Sequence, residues 1–261
     1  MVVQEDYQLF VQKMKQKSGI DLSLYKEAQM KRRLTTLRDK RGYSSFVSYL
    51  NAMSNDRQLY FEFLDRMTIN VSEFFRNGKR WDVLRETILP NIVSGRSAIK
   101  VWSAACSTGE EPYTLAIILS ELFPHKSIKV MATDLDEVAM GKAKKGVYAA
   151  RSLQEVPDAW KKKYFTKEGD FYHISEEIKS KVTFKKHNLL ADPYPKQMDL
   201  IVCRNVLIYF TEEAKEQVYR QFHQSLNEDG VLFVGSTEQI FNPQYYHFDV
   251  LDTFFYKKSR S

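Results

Sequence analysis

AIKVWSAACSTGEEPYTLAIILSEL, residues 98–122, reads as a strand, a tight turn and a helix in quick succession. The apolar run AIKVWSAAC is strand-like, STGEEP is a turn, and YTLAIILSEL continues as a helix. A strand that feeds directly into a helix is the opening unit of an open α/β sheet, in which ligands bind beyond the carboxyl ends of the strands. The rest of the chain is therefore read outward from this turn.

The alternation continues downstream. SIKVMATD (127–134) is a second strand ending in an acid, VTFKKHNLL (182–190) a third, and MDLIVCRNVLIYF (198–210) a fourth. TEEAKEQVYRQFHQSL (211–226) follows as a helix, with Thr211 placed to cap its start and Gly230 just past its end. GVLFVGST (230–237) is a fifth strand, and FDVLDTFFYKK (248–258) carries the last strand material. This order predicts a mostly parallel sheet with helices on both faces. KKYFTKEGDFYHI (162–174) breaks the rhythm around Gly169 and reads as a small antiparallel insertion, placed at about 155–185.

Upstream the pattern is helical. Tyr7, Phe10, Val11 and Met14 recur at helix spacing, as do Met30, Leu34 and Leu37; Phe46, Val47 and Leu50; and Leu59, Phe63, Leu64 and Met67. A helical head over residues 1–80, a linker to about 97 and an α/β body over 98–261 are expected. The charge follows this division. The net charge is +6, and residues 1–80 carry fifteen Lys and Arg against nine Asp and Glu, while residues 81–261 carry twenty-four of each. A neutral body with a basic head points to an acidic partner, whether nucleic acid, an anionic membrane surface or a protein. MVVQEDYQLF has an acidic pair where a signal peptide is basic and then apolar, and no apolar stretch is long enough to span a membrane. A soluble cytoplasmic protein is expected. Cys106 and Cys203 are too few for a disulfide framework or a zinc site and read as small buried residues.

The turns at the strand ends carry the candidate chemistry. Ala104 and Ala105 let a ligand approach the backbone, Gly109 permits the tight turn, and Glu110 and Glu111 set carboxylates at the mouth of the crevice. One glycine is not G-x-G-x-x-G, and a pyrophosphate would not choose a helix start that carries two acids. Two acids suit a ligand with positive charge and hydroxyls, such as S-adenosylmethionine; they also suit an ordinary helix N-terminus. Asp134, some twenty residues on, is placed either to accept from a ribose or to cap a helix. Asn188 and Leu189 offer an amide for an adenine edge and an apolar face, though turn asparagines are common. Arg204 and Asn205 interrupt an apolar run at the crevice, where a buried polar group needs a reason. The run CRNVLIYF lacks the Pro-Pro-aromatic sequence of many methyltransferases that act on base amines. In TINVSEFFRNGKRW (68–81), Asn70, Ser72 and Arg76 stand among apolar residues; on a helix Ser72 and Arg76 share a face, and Arg76 can grip a carboxylate with two parallel bonds.

NVSEFFR at 70–76, WSAACSTGEEPY at 102–113, ATDLD at 132–136, HNLL at 187–190 and CRNVLIYF at 203–210 together resemble the CheR family of bacterial chemotaxis receptor methyltransferases, in order and approximate spacing. The resemblance covers essentially the whole chain. It implies a helical N-terminal domain followed by a Rossmann-like S-adenosylmethionine methyltransferase domain with a small β insertion, and S-adenosylhomocysteine as product. It implies cofactor contacts at Asn70, Ser72, Arg76, Ala105, the Glu110-Glu111 pair, Asp134, Asn188, Leu189, Asn205 and Val206, with Glu111 favoured over Glu110. Ser72 stands where the family usually has threonine, and the hydroxyl is kept. Arg76 and Tyr209 are implied near the transferred methyl group, with no metal. The implied substrate is a set of glutamates on the cytoplasmic helical region of a transmembrane chemoreceptor, methylated for sensory adaptation. Lys26, Lys31, Arg32, Arg33, Arg38, Lys40 and Arg41 would form the docking face. A monomer is expected, with no nucleic acid and no membrane insertion. Two alternatives remain at this point: a nucleic-acid methyltransferase using the basic head, and a non-catalytic protein that senses the cofactor.

Overall fold

The computed structural model describes residues 2–259. Four helices form the head: α1 (Val2–Ser18), α2 (Glu27–Lys40), α3 (Phe46–Asn55) and α4 (Arg57–Thr68). Each N-terminal cap follows from a short polar side chain where one is available. Ser45 and Ser48 make a reciprocal capping box for α3, and Asp56 accepts the N–H groups of Gln58 and Leu59 to start α4. The apolar positions picked out by helical spacing converge on a core of their own, with Phe10, Leu34, Phe46, Tyr49 and Phe63 fully buried.

The body begins with α5 (Gly78–Val83), a π turn (Leu84–Ile88) and α6 (Leu89–Ile92). This stretch, expected as linker, is helical and packs Trp81, Leu84, Ile88 and Leu89 into the body's core. Then follow β1 (Ala98–Ala104), α7 (Glu110–Leu122), β2 (Ser127–Asp134), α8 (Glu137–Lys145), β3 (Val147–Ala149), α9 (Asp158–Tyr164), β4 (Phe165–Glu168), β5 (Phe171–Ile174), α10 (Glu176–Lys179), β6 (Val182–Lys186), β7 (Met198–Cys203), α11 (Glu212–Ser225), β8 (Leu226–Val234), β9 (Phe248–Asp252) and β10 (Phe255–Lys258).

Seven strands form one sheet in the order β6-β2-β1-β7-β8-β10-β9. The five from β6 to β8 are parallel, and β10 runs antiparallel to both neighbours. The chain reverses its winding direction between β1 and β7, so the crevice of an open α/β sheet falls at their carboxyl ends. Alternating side chains build two cores. Val101, Leu200, Val202, Val231 and Phe233 face α5–α8, whereas Trp102, Ile201, Cys203, Leu232 and Val234 face α11.

A second sheet, β3-β5-β4, is antiparallel. It starts at Val147, eight residues before the expected edge of the insertion, because three residues after the αL cap Gly146 are too few to show a period. β6, inside the expected range, belongs to the large sheet. Gly230 is not a helix cap. It lies within β8, where an added Cβ would come within 2.9 Å of the Asn227 carbonyl and 3.0 Å of the Met198 carbonyl. Thr211 does cap α11, accepting from the Ala214 N–H.

Residues 70–77 are not the helix expected of them; they form an irregular linker with φ of 55° at Phe75 and 64° at Asn77. Tertiary anchors override the local preference. Phe74 and Phe75 are both buried in the body's core, Phe74 donates its N–H to the Ser152 carbonyl, and Phe75 donates to Thr114 Oγ1. A helix would point two successive phenylalanines about 100° apart, and only one could enter that core. The head also meets the body through Tyr25, which bridges to Phe210 in antiparallel fashion, with Lys26 N–H on the Tyr209 carbonyl and Thr211 N–H on the Leu24 carbonyl. Phe74 stands edge-on to Tyr148 and Phe165 at 4.8 and 5.1 Å. Phe74→Ala should cost about 3–5 kcal/mol of stability in urea denaturation. A cost below about 1 kcal/mol would mean that the linker is not anchored there.

Candidate active site

At the carboxyl ends of β1, β2, β6 and β7 lies a pocket of about 1000 Å³, its open mouth included. Asn70, Ser72, Arg76, Ala105, Glu111, Asp134, Asn188, Leu189, Asn205, Val206 and Tyr209 all line it. Of the cofactor contacts implied by the resemblance, only Glu110 stands apart. It is buried behind the turn, hydrogen-bonded by Thr108 Oγ1 at 2.6 Å and by Ser72. Glu111, one residue on, turns to the other side of α7 and onto the pocket wall.

The β1 turn is tightly wound. Ala105 and Ser107 both have positive φ, 64° and 48°, and Gly109 has φ of 94°. Gly109 is obligatory: a Cβ there would sit 2.7 Å from Ala143 Cβ. Asp134 holds this turn. Its carboxylate accepts the Ser107 N–H at 2.7 Å and the Asp136 N–H at 2.9 Å. Burial raises its pKa against those bonds. Each oxygen keeps lone-pair capacity, the requirement for gripping a diol. Helix capping falls to Asp136, which accepts the N–H groups of Val138 and Ala139.

Asn70 is a clasp. Its amide donates to Asp136 Oδ2 at 2.8 Å and Asp65 Oδ1 at 3.1 Å, and its oxygen accepts from Ser107 Oγ at 2.8 Å. It thereby ties the linker to the β1 and β2 turns. Asn188 uses its side-chain oxygen locally, accepting the Leu190 N–H at 3.0 Å, while Leu189 is buried beneath the pocket.

Glu111 accepts from Ser103 Oγ at 2.8 Å and faces Arg204 Nη1 at 3.8 Å. Burial pushes its carboxyl up to about 7, with Arg204 opposing. Arg204 is buried between the rings of Trp81 and Phe233, 5.1 and 4.9 Å from their centroids, and donates to the Arg76 carbonyl at 2.8 Å. The Arg76 guanidinium reaches the Val71 carbonyl at 3.1 Å and lines the pocket. Tyr209 lies beneath Arg33 of the head, whose guanidinium is 4.7 Å from its ring centroid.

Sequence reasoning missed three members of this architecture. Asp136 lies inside the quoted ATDLD, where an acid two residues after a strand end is a capping signal. Ser107 was legible only as a turn residue. Glu238 accepts the N–H groups of Asn205, Val206 and Leu207 from 31 to 33 residues away, and no local pattern marks it. The basic cluster also divides. Arg38 lies over Phe46 and pairs with Asp39, Arg41 pairs with Glu62, and Lys31 lies over Tyr7. Arg32 and Arg33 instead join Arg66 in a crevice that shares Ile69 and Asn70 with the pocket.

The donor set fits S-adenosylmethionine. Asp134 suits a ribose diol, buried Glu111 an ammonium, Arg76 a carboxylate, and the excess of acid a sulfonium. A pyrophosphate does not fit, because the first turn of α7 presents carboxylates. Among the described residues no cluster of three His, Cys, Asp or Glu is placed to hold a metal ion, and no helix is long and apolar enough to cross a membrane.

The fold and the site define an S-adenosylmethionine-dependent methyltransferase. Comparison with known proteins extends this. Residues 5–68 match the model of the CheR methyltransferase all-alpha domain, and residues 70–255 that of the CheR methyltransferase SAM binding domain. Proteins named chemotaxis protein methyltransferase from Listeria innocua serovar 6a and Listeria monocytogenes serovar 1/2a are each 43% identical over 258 residues, 98% of either chain. One of the same name from Borreliella burgdorferi is 35% identical over 85% of this chain and 83% of its own. The chain belongs to the CheR methyltransferase family.

The raised carboxyl of Glu111 sets a pH dependence. If it pairs with the cofactor's ammonium, binding requires the ionised form and releases a proton when the pH lies below about 7. S-adenosylhomocysteine affinity should therefore rise several-fold between pH 6 and pH 7.5. Calorimetry in buffers of different ionisation enthalpy should detect the released proton, and Glu111→Gln should abolish the effect. A flat profile for the wild type would remove Glu111 from the ammonium site.

Proposed function

We propose that the chain methylates glutamate side-chain carboxylates on the cytoplasmic helical region of transmembrane chemoreceptors, forming methyl esters that serve sensory adaptation. The observation that carries this reading is the crevice at the rim of the pocket, where Arg32, Arg33 and Arg66 outnumber the one acid, Asp65. A helix rich in carboxylates would be steered to it and would present a glutamate at the mouth. The names borne by the relatives support the same reading. The helical head, residues 1–80, is then the docking unit and residues 98–261 the catalytic unit, acting as a monomer in the cytoplasm. No observation favours a nucleic-acid substrate.

When bound, S-adenosylmethionine supplies a methyl group on a cationic sulfur that a carboxylate oxygen can displace, leaving S-adenosylhomocysteine. A glutamate carboxylate, with an ordinary pKa of about 4.3, is already ionised, so the chain needs no general base. In this reading Asp134 holds the ribose, Glu111 the ammonium, and Asn188 and Leu189 the adenine. Asn205 and Val206 form the opposite wall. Arg76 anchors a carboxylate and Tyr209 closes over the transfer end. Arg76 acts as an anchor because a guanidinium bonded tightly to the attacking oxygen would weaken it as a nucleophile. Alignment and exclusion of water supply the acceleration.

An ester gives a chemical signature. Label transferred from S-adenosylmethionine to receptor should leave as methanol under mild base, whereas methylated nitrogen would keep it. Base-stable label would overturn the glutamate assignment. The docking face has its own test. Reversing Arg32 and Arg66 to glutamate should slow receptor methylation several-fold at low salt and flatten its salt dependence, since exposed charges are screened beyond about 10 Å at 0.1 M. S-adenosylhomocysteine affinity should not change. Equal methylation rates at low salt would move docking elsewhere, to the body or its small sheet.

A further inference from the structure

The loop after β7 carries five pocket-lining residues, Asn205, Val206 and Tyr209 among them, yet its turn has little of its own to hold it. Asn205 takes a positive φ of 62°. The short helical turn Leu207–Tyr209 starts at Val206, whose side chain offers no capping bond. Such a start leaves N–H groups without partners. Those of Asn205, Val206 and Leu207 turn to one carboxylate. Glu238, 5% exposed, accepts from Val206 and Leu207 through Oε1, each at 2.7 Å, and from Asn205 at 2.5 Å and Gly235 at 2.9 Å through Oε2. Its partners are backbone groups of the two loops that follow β7 and β8. Gly235 is part of the same arrangement, because a Cβ there would lie 2.3 Å from Glu238 Oε2 and 2.9 Å from the Asn205 nitrogen.

We infer that Glu238 is a positioning residue of the methyltransferase. Its carboxylate sets the backbone of residues 205–209, and through it the wall that faces the cofactor and the placement of Tyr209. Both oxygens are needed, since each serves two N–H groups. An amide in its place would turn an NH2 group toward two donors. The inference rests on the reading of this pocket as the cofactor site.

The test compares wild type, Glu238→Gln, Gly235→Ala and the double variant. The readouts are S-adenosylhomocysteine binding by calorimetry, steady-state kinetics on receptor, and thermal melting. Glu238→Gln should weaken S-adenosylhomocysteine binding about tenfold or more, the loss expected when bonds to a charged acceptor are replaced by a clash of donors. KM for S-adenosylmethionine should rise while KM for receptor stays unchanged, a split that general loss of folded protein would not produce. Gly235→Ala keeps the acid but displaces it, and should give the same split. The double variant should be no worse than the more damaging single one, because both act through one clamp. If Glu238→Gln fails to fold, Gly235→Ala decides alone. Wild-type affinity in the folded variants would overturn the inference and leave the cofactor site standing. Failure of the wild type itself to bind S-adenosylhomocysteine would overturn the site reading, and the inference with it.

Discussion

Asp134, Asp136 and Glu238 are buried carboxylates gathered at the carboxyl ends of the central strands, and each is held by backbone N–H groups. An ion taken out of water costs several kcal/mol unless polar partners replace the water, and each hydrogen bond to a charged group returns about 1.5–3 kcal/mol. The partners here are N–H groups of turns wound through positive φ at Ala105, Ser107 and Asn205. Without an acceptor those turns would have buried donors with nowhere to go. Acid and turn therefore fix each other, and the crevice between β1 and β7 keeps its shape. The cost is visible in the direction of titration. Burial raises the pKa of both Asp134 and Glu238. A carboxyl raised on folding weakens the folded state as the pH climbs above the ordinary carboxylate range, because the unfolded chain ionises more easily. The site is maintained against stability.

The head lines the pocket as well as carrying the proposed docking surface. Tyr25 and the segment Met67–Glu73 line the pocket, Asn70 joins the linker to the β1 and β2 turns, and Arg33 lies over Tyr209. Arg33 also reaches the Met67 carbonyl at 3.4 Å. It is held on both sides, a strut between the head and the transfer end, whereas Arg32 and Arg66 are exposed.

Much of this was legible in the residues. Helical spacing found the head's core, alternation found the sheet, and polar residues after strands found the pocket wall, because each is a local consequence of which side chains must be buried. What was not legible depends on distant partners. Residues 70–77 have helical spacing but are pulled out by Phe74 and Phe75, whose slots lie in another domain's core. Gly230 looks like a helix cap until β7 is seen to approach it. Val147–Ala149 is too short to show a period. Glu238 is one more acid in a loop until the backbone of Asn205 to Leu207 is folded onto it. In the charge run from Lys26 to Arg41 the sequence does not show which cations have partners: Arg38 and Arg41 are drawn to Phe46, Asp39 and Glu62.

These rigid features suit the proposed chemistry. A reaction that needs a base places a histidine or a raised carboxyl beside the nucleophile, where it can take a proton. His187 lines the pocket, but burial lowers its pKa, and its Nε2 is spent on the Pro193 carbonyl at the β6 end. Glu111 titrates near neutrality but is bound to Ser103 and faces Arg204. His187 Nδ1 has no hydrogen-bond partner among the described residues but is buried, and the Glu111 carboxylate is engaged. An amine, protonated at neutral pH, would arrive needing to lose a proton; a carboxylate arrives ready. The remaining requirement is geometric, and the contacts that serve it are Arg204 between two rings, Arg76 tethered at its carbonyl and its guanidinium, and Tyr209 beneath Arg33. A pocket of this kind suits an acceptor that arrives already ionised, as the proposed glutamate would.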